Sequence, residues 1–301
     1  MTSTSVQSPS QAPRRTAPLP AGSTLRRSRR SPRAVLLTVA GFIVAFVFAS
    51  PYLVMLLDAL RPSGEVLATP PRLLPKVWTF DAFIDVVSDP VFRGWLSTSL
   101  IVSVTSTVLV MLVAIPAAYF TARFRFRGRG LFLMLIIVTQ MFAPTSLVVG
   151  IYREFYDWGL VNTYTSLILT DAAFNIAFAL WILQGFFAAI PAEVEEAAVL
   201  DGAGRMRTLL QVMLPLTLPG VVTAITFTFI ATWNEYVVAL TLMQDESKKP
   251  LTVGISSYVT AYQQNWSDLF AASLIAIVPV VILFALIEKH LVGGLTAGAV
   301  K

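Results

Sequence analysis

Catalysis has little to work with in this chain. Its 301 residues include no cysteine and a single histidine, His290, so thiolate nucleophiles, disulfides, histidine zinc sites and Ser-His relays lack their material. No Gly-Lys pair occurs, so there is no GxxxxGK[ST] phosphate loop and the chain is not expected to hydrolyse ATP alone. Two sets of residues remain that could do work. Gln140, Asn175 and Asn234, with Asp171 and Glu235, interrupt long apolar runs, where polar groups are costly and therefore informative. Glu193, Glu195, Glu196, Asp201, Arg205 and Arg207 crowd a hydrophilic stretch from Ile190 to Gly220. The first set suits a water-filled path, a helix–helix contact or a place at the membrane interface. The second suits docking.

That hydrophilic stretch reads as two short helices around a bend. Pro191 fits a first helical position, where a missing N–H costs nothing, and the three glutamates then meet the positive end of the helix dipole. Gly202 stands where the helix must reverse, and Ala197 and Ala198 keep one face thin. A second helical pattern runs roughly from Met206 to Met213, with Pro215 and Pro219 punctuating its exit. From composition alone, an ordinary loop between membrane helices and a segment inserted into a partner's cleft are equally good readings.

The elements that position these residues are membrane spans. The chain is 56% hydrophobic and 13% charged, against about 25% charged for a soluble domain. Six spans of near-membrane length can be drawn: 34–57, 95–120, 131–152, 164–187, 216–240 and 269–287. The fold class is therefore an all-α polytopic membrane protein with six transmembrane helices and both termini on one side. Of the 22 Lys and Arg residues, fifteen lie on the side of the N-terminal tail and seven on the other, which makes both termini and the Ile190–Gly220 stretch cytoplasmic. Residues 1–33, rich in Arg, Pro and Ser without an acidic residue, are expected to be disordered. Their arginines suit anionic membrane lipid rather than nucleic acid. Residues 34–301 form the transmembrane domain, including the 190–215 loop and a 289–301 cytoplasmic tail. On the other side, Trp78-Thr79-Phe80 with the amphipathic run Phe83, Ile84, Val86 and Val87, and the segment from Gln244 to Trp266, either connect spans or meet an external partner.

Glu196-Ala197-Ala198, three residues, Gly202, nine residues, then Val212-Met213-Leu214-Pro215 resembles the EAA loop of ABC-importer permeases, with Val212 in place of the usual isoleucine. Thr139-Gln140-Met141-Phe142, Gly159-Leu160-Val161-Asn162-Thr163, Trp181 with Gly185-Phe186-Phe187, Trp233-Asn234-Glu235 and the ending from Gly294 to Lys301 extend the likeness over residues 34–301. Together they resemble the smaller, six-helix permease of the maltose-type carbohydrate importers. One departure is Ala143, inserted before Pro144 where the family runs from Met-Phe straight into proline.

The resemblance implies a permease subunit in the bacterial cytoplasmic (inner) membrane. It would pair with a second, related permease to form the path for a sugar or related polyol, bind two cytoplasmic ATPase subunits, and receive solute from an extracytoplasmic solute-binding protein. ATP and Mg2+ would belong to the ATPase. By the same likeness Glu195, Glu196, Ala197, Ala198, Asp201, Gly202, Arg207, Leu214 and Pro215 carry coupling. Thr296, Ala297, Gly298 and Ala299 reach toward the ATPase. Gln140, Pro144, Asn175, Asn234 and Glu235 are candidates for the translocation path. A permease for a non-sugar solute shares the EAA loop. An autonomous secondary transporter would instead need inverted repeats or paired acidic residues mid-span. No repeat is clear, and Asp171 and Glu235 are the only acidic residues inside the drawn spans.

Overall fold

The computed structural model describes residues 32–66, 74–259 and 265–297, and every regular element among them is a helix. The described residues divide into two units, one ending at Ser50 and the other starting at Pro51. Most of α1 (Pro32–Ala59) belongs to the first, and its apolar side chains, such as Leu37 and Phe42, are exposed. The second unit continues with α2 (Asp81–Ser88), α3 (Pro90–Arg123), α4 (Arg129–Thr139), α5 (Pro144–Asp157) and α6 (Tyr164–Ala189). Then come α7 (Ala192–Leu200), α8 (Arg205–Thr208), a π-helical turn (Leu209–Met213), α9 (Leu214–Leu216) and α10 (Leu218–Trp233). The last three are α11 (Val237–Leu242), α12 (Leu251–Ser256) and α13 (Trp266–Ala297).

Four helices are long and apolar enough to cross a membrane: the 36–59 stretch of α1, α3, α6, and the 266–288 stretch of α13. The number is six if each of two bent pairs makes one span. The expected span over 131–152 is such a pair: α4 and α5 meet at 94°. Pro144 accounts for the break, because the ring disfavours helical backbone at the residue before it. Ala143 accordingly takes φ −67°, ψ 134°, and Pro144 opens the next helix. The expected span over 216–240 is also interrupted. An 82° bend at Thr217 precedes α10, α10 ends at Trp233, and α11 starts afresh at Val237. Pro116 by contrast lies inside α3 without ending it. The backbone of α13 stays helical to Ala297, well past the expected limit at 287. The arginine-rich tail up to residue 31, together with Gly298 and Ala299, lies outside the described residues.

In the second unit α3, α6 and α10 pack on one another through small side chains. Ala114 and Ala118 of α3, Ala172 and Ala179 of α6 and Ala224 of α10 are all buried in one apolar cluster with Leu183 and Phe187. Lipid offers no hydrophobic drive between helices, so close backbone approach through small residues supplies the van der Waals contact instead. Gly220 shows how close: a Cβ there would lie 2.4 Å from Phe186 Cγ. A second cluster gathers Phe92 and Trp95 of α3, Phe229 and Trp233 of α10, Leu251 of α12, and Ala271 and Ala272 of α13. The amphipathic run expected near Phe83 is α2, which buries Ala82 and Val86 in this cluster.

Candidate functional site

The loop after α6 is built by its prolines and one glycine. Ile190, before Pro191, is extended (φ −75°, ψ 132°), which stops α6. Pro191 precedes α7 by one residue rather than opening it. At the far end Gly202 takes φ +81°, and the helix closes with paired bonds from Ala203 N–H to Ala198 O and Gly202 N–H to Val199 O, both 3.0 Å. That is the glycine-dependent Schellman stop. The second helical pattern, expected from Met206 to Met213, splits into α8 and the π turn. Pro215 has no N–H to give Gln211, and the Leu214 N–H reaches back to Leu209 instead. Leu209 and Met213 from this turn enter the α3–α6–α10 cluster, so the loop is continuous with the membrane core.

Glu195 braces α7 against α3. Its carboxylate accepts the Tyr119 hydroxyl and lies 3.3 Å from Arg123 Nε, an ion pair rather than an aligned hydrogen bond. Arg123 also donates to Ile190 O at 2.8 Å, which ties the end of α3 to both sides of the turn. Tyr119 meets Phe124 and Phe187 edge-on, and the Arg205 guanidinium lies 5.0 Å above the Phe124 ring. Ala198 is buried beneath the helix. The outer face is different. Glu196, Ala197 and Asp201 are exposed, and so are two apolar side chains, Leu200 at 88% and Val199 at 57%. An open cleft of about 740 Å3 separates α7 from the start of α4, lined by Arg123, Arg125, Arg129, Glu195 and Glu196 among others. Arg207 bonds to Gln211 at 2.8 Å, Leu214 is half-buried and Pro215 exposed.

The candidate path residues do not converge on one pocket. Gln140 ends α4 at the 94° bend, is exposed, and donates to Phe174 O at 3.0 Å; Pro144 is exposed beside it. Asn175 donates to Asp171 O within its own helix, and exposed Asn234 donates to Ile230 O, each at 2.8 Å. Glu235 caps α11, its two oxygens accepting from Val238 N at 2.7 Å and Ala239 N at 2.8 Å. Trp233 donates to Ala276 O on α13 at 3.2 Å. The Trp233-Asn234-Glu235 run thus ends one helix and starts another. Asn162 is likewise structural: at φ +63° its side chain accepts from Gln244 N and Asp245 N, tying the α5–α6 turn to the loop after α11. There the Ser247 hydroxyl, and then its amide, hold the Asp245 carboxyl below its ordinary pKa.

Sequence reasoning passed over Tyr119, Arg123, Ser99 and Ser103. Arg123 counted only as one positive charge among those that set sidedness. Its one-turn spacing from Tyr119 was the available signal for a shared partner. Nothing in the sequence pointed to the serines. Asp171 and Glu235, separate in sequence, line one small cavity with Ser99, Ser103 and Thr232. Thr296 and Ala297 are the last residues of α13.

Comparisons with known proteins bear on all of this. Residues 114–296 match the family described as binding-protein-dependent transport system inner membrane component. The chain is 32% identical to an inner membrane ABC transporter permease protein of Escherichia coli, over 87% of this chain and 94% of that one. It is 33% identical to a diacetylchitobiose uptake system permease protein of Streptomyces coelicolor, over 83% of each chain. It is 32% identical to a trehalose/maltose transport system permease protein of Thermococcus litoralis, over 89% of this chain and 97% of that one. A chain from a bacterial ABC transporter that imports the acidic polysaccharide alginate shares the fold. Its TM-score is 0.74 at 24% identity, over 85% of this chain and 95% of that one.

Proposed function

The chain belongs to the inner-membrane components of binding-protein-dependent transport systems, and on that premise we propose that it imports a sugar or related polyol, coupled through α7 to a cytoplasmic ATPase. It is a multi-pass permease subunit of the cytoplasmic membrane, a transport component and not an enzyme. The sugar reading is supported by relatives whose names specify diacetylchitobiose and trehalose/maltose. In this reading six spans, four straight and two bent, place both termini and α7 in the cytoplasm, in keeping with the Lys and Arg bias.

One observation carries the coupling role: α7 is braced on its inner side by Glu195 and bare on its outer side, where Leu200 is 88% exposed. A contiguous exposed apolar patch beside Glu196 is what a partner's cleft would cover. When the ATPase closes, it pushes α7. Glu195 passes the push to Arg123 and Tyr119 on α3, while Leu209 and Met213 pass it to α6 and α10 through the shared cluster. The α3–α6–α10 unit then moves as a rigid body against a second, related permease, and access alternates between the two sides of the membrane. Glu196 pairs with a basic group of the ATPase, and Asp201, Gly202, Arg207, Leu214 and Pro215 shape the bend that presents it. The C-terminal residues Thr296, Ala297, Gly298 and Ala299 reach the same subunit. Gln140 and Pro144 at the α4–α5 break, Asn234 and Glu235 at the α10–α11 break, and Asn175 within α6 stand beside the path, and a solute-binding protein delivers the sugar to its outer end.

The test is to purify the tagged chain in mild detergent and identify its companions by mass spectrometry. A second permease and a subunit with a phosphate-loop ATPase motif are expected. Recovery of the chain alone, under conditions that preserve membrane complexes, would overturn the assembly.

A further inference from the structure

Two acidic side chains share one site inside the membrane-spanning part of the molecule. Asp171, two turns into α6, is 4% exposed, and Glu235 lies in the break between α10 and α11. They line a cavity of about 10 Å3 with Ser99 and Ser103 of α3 and Thr232 of α10, which is room for a single water-sized occupant. No lining residue is cationic, and none of the ion pairs among the described residues includes Asp171 or Glu235. Glu235 is partly compensated by the Val238 and Ala239 amides. Ser99 and Thr232 spend their own contacts on the backbone of Leu251 and Phe229. Ser103 does not: it is 1% exposed, and its hydroxyl has no hydrogen-bond partner.

Two carboxyl groups lining one small cavity away from water are costly as a pair of anions unless a proton or a cation neutralises charge there. A proton shared by the pair would meet that need, yet it would require neither the cavity nor the Ser103 oxygen. A water would fill the cavity and satisfy Ser103, yet bring no charge. An oxygen-seeking cation does all three. We propose that Asp171, Glu235 and Ser103 form a binding site for one sodium-sized cation, which locks α3, α6 and the α10–α11 break together. Carboxylate and hydroxyl oxygens are the donors that hard cations take. No residue of the coupling loop lines the site.

The test is thermal unfolding of the full-length chain in its purified complex, titrating sodium chloride against choline chloride at constant ionic strength and fixed pH. A saturable rise in midpoint with sodium is expected. Asp171→Asn should abolish that response, and Ser103→Ala, which removes one neutral oxygen and leaves packing nearly intact, should weaken the apparent sodium affinity by about tenfold. Identical melting in sodium and choline would overturn the proposal. So would a wild-type sodium response in Ser103→Ala, a readout that stands even where Asp171→Asn does not fold.

Discussion

Both ends of the α3–α6–α10 unit contain a helix break set with glutamates, and the two breaks use them in opposite ways. At the α10–α11 break the polar groups are spent inside the chain. Glu235 caps α11, Asn234 returns to Ile230, and Trp233 reaches across to Ala276. At the α6–α7–α8 loop only the inner side is spent, through Glu195, Tyr119 and Arg123. Glu196 and the apolar Val199 and Leu200 are left exposed, with no hydrogen bond or ion pair described for Glu196. A break that satisfies its own groups is a fixed corner. One that satisfies half of them is a handle.

This contrast orders the expected effects on stability. The largest is at the fixed corner's flank, where a Cβ on Gly254 would meet Trp95 Cδ2 at 2.1 Å; Gly254→Ala should cost about 3 kcal/mol through overpacking, read as a lowered thermal midpoint. Glu235→Ala leaves the Val238 and Ala239 amides unpaired and should cost about 2 kcal/mol, also read by thermal unfolding. At the handle, Glu195→Ala strands Arg123 and should cost about 1–2 kcal/mol, and it should also slow uptake in vesicles, because the push reaches α3 through this pair. Gly202→Asp places a side chain at φ +81°, should cost about 1 kcal/mol, and should uncouple ATP turnover from uptake. Leu200→Arg and Glu196→Lys sit at exposed positions and should change stability by no more than about 0.5 kcal/mol while abolishing uptake. If either exposed variant transported at the wild-type rate, the handle would be only a loop.

The handle was the legible part of the sequence. Prolines, glycine and glutamates at helix-end spacing signal locally, so Pro191, Gly202 and the Glu196-Ala197-Ala198 spacing could be read without any tertiary contact. Even so, the split between Glu195 turned inward and Glu196 turned outward was not readable, because it depends on where Tyr119 and Arg123 lie. The membrane spans were legible as apolar runs, but not their bends. Ala143 before Pro144 was legible as a departure from the family pattern in the third span; the 94° angle was not, since α4 packs on α6 and α5 on α11. At the fixed corner, Asn234 and Glu235 were legible as polar groups within an apolar run, but such side chains carry no mark that tells a cap from a ligand, so their hydrogen bonds to Ile230, Val238 and Ala239 were not. The meeting of Asp171 with Glu235 and Ser103 depends on long-range packing of α3, α6 and the break, which no local pattern encodes.

Because the chain has no cysteine, a single reporter tests the coupling claim directly. Leu200→Cys, labelled with a maleimide photocrosslinker in membranes containing the co-expressed transporter, should form an adduct with the ATPase subunit on illumination. Leu112→Cys, exposed on the membrane-spanning part of α3, should form none with it. An adduct with the ATPase from position 200 alone is the result the account predicts. Absence of that adduct, or equal labelling from both positions, would contradict the seating of α7 in the ATPase.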